Sequence, residues 1–303
     1  KNLSATNVSA LVGTQVAALS NTQIQSLSAT QLKGLSVTDI DELSATQIGA
    51  LSTAQIATLA DTQVAELSTT QLGGLTATQL GSLSNTALKA LNTTQMQALS
   101  ATQIKGRTAT QLKSWGADEF VEFSTQITNL ASTQIGALTG TALDSLSTTQ
   151  VQSLSSTQAQ GLVATQITGL PSPGFLHNLD STQASALSTS VIATITATSL
   201  NALTTTATQS LTATQLKALT ATQGKAMAGV FINDISETQA GQLSTNFLSA
   251  LTMLDGLYET QVQALTTTQI KALTTTQISS LSGAFLARIN ETQGAALTTA
   301  QIA

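Results

Sequence analysis

The chain has no cysteine. That excludes disulfides and thiolate metal sites and leaves the redox compartment open. Charge is scarce: 8% of the 303 residues are charged, against roughly 25% in ordinary soluble domains. The few acids and bases are scattered and sum to −5. No basic stripe is available for phosphates, so no nucleic-acid partner is expected. Aromatic residues make up 3%, too few to fill the centre of a globular domain. No apolar run approaches the roughly 18 residues that a membrane span requires. Only two prolines occur, and both sit in Pro171-Ser172-Pro173-Gly174.

What is present is Leu, Ala, Ser, Thr and Gln, arranged in one eight-residue phrase. Leu43–Leu59 reads LSATQIGALSTAQIATL, the phrase stated twice. Leucine-type anchors recur every eight residues from Leu3 to Leu99, and continue in phase at Arg107, Trp115 and Phe123. A seven-residue step leads to Leu130, a nine-residue step joins Leu170 to Leu179, and a six-residue step joins Leu251 to Leu257. About 38 anchors result, the last being Leu297. The expectation is one repeat array over residues 1–303, with register breaks near 123–130, 170–179 and 251–257. The chain opens on Lys1-Asn2-Leu3, already inside the repeat, and stops mid-phrase at Gln301-Ile302-Ala303. A trimmed form, a fragment, or an end completed by the next copy is expected.

With the anchor as position one, position two is mostly Ser or Thr, position five mostly Gln, and position six an aliphatic residue. Ser or Thr followed three residues later by Gln is a capping box. Ser44 would accept a backbone N–H, and Gln47 would reach back to the N–H of Ser44; Ser52 and Gln55 repeat the arrangement. Leu43 and Ile48 stand where a hydrophobic staple places its pair. A neutral amide also avoids stacking dozens of carboxylates. This reading gives an all-α solenoid of very short capped helices, one per octad. Helices this short are marginal alone, so stability must come from stacking between neighbours. The alternative is a β-solenoid, with Thr-Gln-Ile as a short strand and ladders of Thr and Gln between coils. Abundant Ala and scarce Val, Tyr and Phe favour the helix.

A longer rhythm overlies the octad. Phe replaces Gln in GFLHNL (174–179), VFINDI (230–235), NFLSAL (246–251) and AFLARI (284–289), with a shorter relative, EFVEF, at 119–123. Phe120, Phe175, Phe231 and Phe285 are separated by 55, 56 and 54 residues, near seven octads, while Phe247 falls outside the series. Either these rings plug the core where the amide is missing, or about seven octads make one superhelical turn and the rings lock turns or subunits together. Trp115 occupies an anchor position and reads as a packing residue.

Catalysis needs convergent polar groups, and none stand out. His177, the single histidine, reads as solvated or capping. Asp118, Glu119 and Glu122, like Asp39, Asp41 and Glu42, read as solvated faces and lack the ligand count of a calcium loop. No catalytic, cofactor or metal site is expected, and no enzymatic activity.

The unit resembles the Leu-Thr-x-x-Gln-Val opening of TAL effector repeats, but their longer period, paired variable residues and basic surface are missing. The whole chain resembles long bacterial surface or secreted proteins built of Leu-Ser/Thr-x-Thr-Gln-Ile-x-Ala octads. That resemblance implies export, length and a structural role, and no activity. The expected function is a self-assembling subunit of an extracellular bacterial filament, sheath or surface layer, of the kind used in adhesion and biofilm. The expected partner is the protein itself, head-to-tail or laterally. The alternatives are an adhesin stalk that touches carbohydrate or a cell surface, or a ligand- or ice-binding solenoid; ice binding needs the flat threonine arrays of the β form.

Overall fold

The computed structural model describes residues 3–116, 119, 123–227 and 229–303. Among the described residues there is no strand, and short helices follow one another in regular order, one per octad. The β-solenoid alternative is thereby excluded for these residues, and with it the strand-borne threonine face that ice binding required.

A single octad shows why. Ser44 is extended (φ −66°, ψ 158°) and caps the helix Ala45–Ala50. Its hydroxyl accepts the N–H of Gln47 at 3.2 Å, and Gln47 Oε1 accepts the N–H of Ser44 at 2.8 Å. Leu51 then turns extended (φ −61°, ψ 140°) and Ser52 opens the next box. No proline or glycine stops the helix. Two extended residues, an anchor and a cap, make the corner, and the following box begins another turn of helix. Both members of the expected staple, Leu43 and Ile48, are buried.

The chain forms two compact units, Lys1–Leu138 and Thr139–Ala303. Within each, a helix packs on the helix three octads earlier. In the first unit Asn21–Ser26 carries Ala45–Ala50, which carries Thr69–Gly73. In the second, Ser156–Gln160 carries Ser181–Ala186, which carries Thr205–Gln209. Three octads, rather than the seven suggested by the Phe spacing, therefore separate elements that stack. Position six forms the sealed interior: Ile48, Ile56, Val64, Leu72 and Leu80 are all 0% exposed.

Close stacking leaves no room for a side chain at some contacts. A Cβ on Gly74 would lie 2.4 Å from the carbonyl oxygen of Ala45. Glycine is needed there for approach between backbones.

The register breaks are absorbed at corners. The nine-residue step passes through Pro173, which precedes the helix Gly174–His177. Ser172 Oγ stands 2.8 Å from Asp144 Oδ1 and also accepts the N–H of Gly174. The six-residue step is taken up by a 3₁₀ turn, Leu254–Gly256.

Candidate functional site

The feature that recurs through both units is the position-five amide. Gln47 Oε1 closes its own capping box, while Nε2 donates to the carbonyls of Val16 (3.3 Å), Ala17 (3.2 Å) and Leu19 (2.7 Å). Gln55 repeats this with Ile24, Gln25 and Leu27. One planar amide thus satisfies an orphan N–H at one helix start and the orphan anchor carbonyl at a helix end in the preceding turn, and adds a second donor to carbonyls such as Val16 O, which already accepts the N–H of Leu19. Glutamate offers no donor, and asparagine is shorter by a methylene. Where the cap residue has no capping hydroxyl, as at Ala60, Ala131 and Val163, the amide half alone remains.

Where the donation of the amide is described, one target is the anchor three octads earlier. With regular spacing the offset is 28 residues, as for Gln71 to Leu43 and Gln215 to Leu187. Across the seven-residue step it becomes 27, for Gln134 to Arg107. Across the nine-residue step it becomes 29, for Gln183 to Leu154. Across the six-residue step it becomes 26, for Gln261 to Ile235. The ladder therefore keeps its partner when the sequence slips.

Phe175, Phe231, Phe247 and Phe285 occupy the amide position and are buried inside their units; Phe120 lies outside the described residues. At two of these gaps another side chain supplies the missing donor. Ser244 Oγ donates to Leu219 O at 3.2 Å beside Phe247, and Arg288 Nη1 to Leu257 O at 2.5 Å beside Phe285. At Glu119 the amide is replaced by a carboxylate, which accepts the N–H of Gly116 and pairs with Lys89 at 2.8 Å. Burial pushes the Glu119 carboxyl up, but the hydrogen bonds from Lys89 and Gly116 hold it below its ordinary range. Asp118 and Glu122 lie outside the described residues.

Asp39 departs from the expected solvated face: it is buried and closes a box with Ser36 at 2.7 Å. Asp41 is exposed and Glu42 half-buried. His177 is exposed, with Nδ1 2.6 Å from the carbonyl of Ala202, which is a capping contact.

Two interior positions carry polarity without partners. Arg107, an anchor, is buried with Nε and Nη1 unpaired. Its Nη2 lies 3.9 Å from Met96 Sδ, and its guanidinium sits 5.8 Å from the ring centre of Trp115. Trp115 is buried and meets Phe123 edge-on at 4.9 Å. Thr208 stands at position six, 0% exposed, its hydroxyl unpaired. The phrase there reads Ala207-Thr208-Gln209, shifted two places along the octad; the anchors Leu203 and Leu211 keep the register and draw the threonine inside. An unpaired buried hydroxyl costs about 1–3 kcal/mol. Thr208→Val should therefore raise the stability by about 1 kcal/mol or more in chemical denaturation, and an unchanged or lower midpoint would refute that assignment.

The fold and the ladder define an all-α solenoid of capped octad helices. A scan of protein-family models found no match to the chain, and neither did a search of curated proteins. Among the described residues no helix is long and apolar enough to cross a membrane.

Proposed function

We propose that the protein is a non-enzymatic structural subunit that assembles with itself in an extracellular filament, sheath or surface layer. The observation that carries this reading is the ladder. Each turn offers the next the same set of anchor carbonyls and receives the same set of amides, so the fold is extended by repetition of one interface. A contact that repeats without closing yields a filament. The scarcity of charge supports the same reading, because little electrostatic repulsion keeps copies apart. The weakly charged, Ser/Thr/Gln-rich composition supports an extracellular setting.

Electron microscopy of the purified protein in mild buffer tests the proposal. Uniform filaments or sheets are the expected result. Dispersed particles at every concentration would retire it.

A further inference from the structure

In one turn of the first unit three consecutive anchors, Arg107, Trp115 and Phe123, stand where leucines are usual, and all three are buried. Arg107 is 3% exposed. Its Nη2 points to Met96 Sδ at 3.9 Å, while Nε and Nη1 meet no acceptor. Of the buried side chains with unpaired polar atoms among the described residues, Arg107 is the one cation. The Trp115 ring centre lies 5.8 Å from the guanidinium carbon, and Phe123 meets that ring edge-on.

No described carboxylate balances this charge. Among the described residues the only ion pair is Lys89 with Glu119, and the other oxygen of Glu119 accepts the N–H of Gly116. A thioether and an aromatic face offset only part of the cost of burying a cation. A buried charge is costly until it is paired and its N–H groups are satisfied.

We propose that Arg107 is an interior binding site for a small, weakly hydrated monovalent anion of the halide class, held at its unpaired N–H groups. One guanidinium balances one negative charge. Guanidinium is itself weakly hydrated, and the Met96 sulfur and the two rings beside it are apolar and polarisable. Such surroundings favour an anion that sheds its water readily. Chloride, bromide and iodide fit that description; fluoride, sulfate and phosphate do not. The site belongs to the first unit alone and does not depend on the assembling role proposed above.

Trp115 is the single tryptophan and is 3% exposed, so it is shielded from quenchers in bulk solvent and placed to report on a heavy halide bound at Arg107. The test is a bromide titration of tryptophan fluorescence in the wild-type protein, with fluoride exchanged for bromide so that ionic strength stays fixed. The expected result is a loss of emission that saturates. Its half-point should move to higher bromide in proportion to added chloride, which competes for the site. Wild type should also melt at higher temperature in bromide than in fluoride, because the anion binds the folded state. Arg107→Leu should show only a shallow, unsaturated loss of emission and the same melting temperature in both salts.

A shallow, linear loss in wild type, unmoved by chloride, would overturn the site without reference to the variant. Saturable quenching that persists unchanged in Arg107→Leu would overturn it too, because the anion would then be bound elsewhere.

Discussion

Gln71→Glu should lower the stability of the protein by about 3 kcal/mol or more at neutral pH, and much of the loss should return in acid. Gln71 is 3% exposed. Its Oε1 accepts the N–H of Ser68 at 2.8 Å, while Nε2 donates to Ile40 O at 2.8 Å and Leu43 O at 2.7 Å. A carboxylate keeps the first bond and replaces both donations by repulsion between oxygens. The Leu43 carbonyl would be left without a donor, at a cost of about 1–3 kcal/mol, while Ile40 O keeps the N–H of Leu43; oxygen–oxygen repulsion and burial of the charge add to that.

The pH dependence follows from the same contacts. Burial and the facing carbonyls would hold the new carboxyl above its unfolded value of about 4.3. The folded state then binds the proton more tightly than the unfolded state. Its contribution is fully present below about pH 4 and is lost as pH rises through the raised folded value. Thermal melts of the variant and wild type between acid and neutral pH measure this. Gln71→Ala, which has no group to titrate, should be destabilised without the acid recovery. A glutamate variant as stable as wild type at neutral pH would show that the amide donor matters little.

Arg107→Leu should act in the opposite direction and raise the stability by up to about 3 kcal/mol. Position one is leucine in most octads, and here a guanidinium occupies it at 3% exposure with two nitrogens unpaired. Desolvation by burial pushes its pKa well below the ordinary guanidinium value, to about 10. That difference corresponds to about 3 kcal/mol of unfavourable burial of the charged form. The aromatic face of Trp115 offsets part of the cost, and its removal limits the gain. Above about pH 10 the unfolded state holds a proton that the folded state has lost. Wild-type stability should therefore gain a component that rises with pH there, absent from the leucine variant. Denaturant titrations of both proteins at neutral pH and near pH 11 provide the comparison. A leucine variant less stable than wild type would mean that the guanidinium has a favourable role in this turn.

The two substitutions probe different layers of information in the chain. Ser44 and Gln47, or Ser52 and Gln55, are three residues apart, and a capping box needs nothing more distant than that. The helix, its start at the serine, its end at the next anchor, and the burial of Leu43 and Ile48 were all legible in a single octad. So was the general need for stacking, because helices this short do not stand alone.

The second half of the amide's work was not legible. Gln47 finds Leu19 across 28 residues, and nothing within an octad states how many octads close a turn. The sequence offers a reason to avoid carboxylates, their mutual repulsion; the structure adds a stronger one, the need for a donor. Phe spacing near seven octads suggested a turn of that length, whereas helices stack at three. The rings mark places where the amide is absent, and Ser244 and Arg288 supply two of the missing donors from positions with no local signature. Asp39 looked like part of a solvated acidic face until its box with Ser36 placed it inside.

By itself the sequence determined the octad, the capped helix within it and the residues that turn inward, because these depend on contacts a few residues apart. Only the tertiary structure decided the three-octad stacking, the carbonyls that each amide reaches and the burial of Arg107 and Thr208. Those depend on which segments meet after the chain has wound a full turn, and that distance is set by the packing of whole octads.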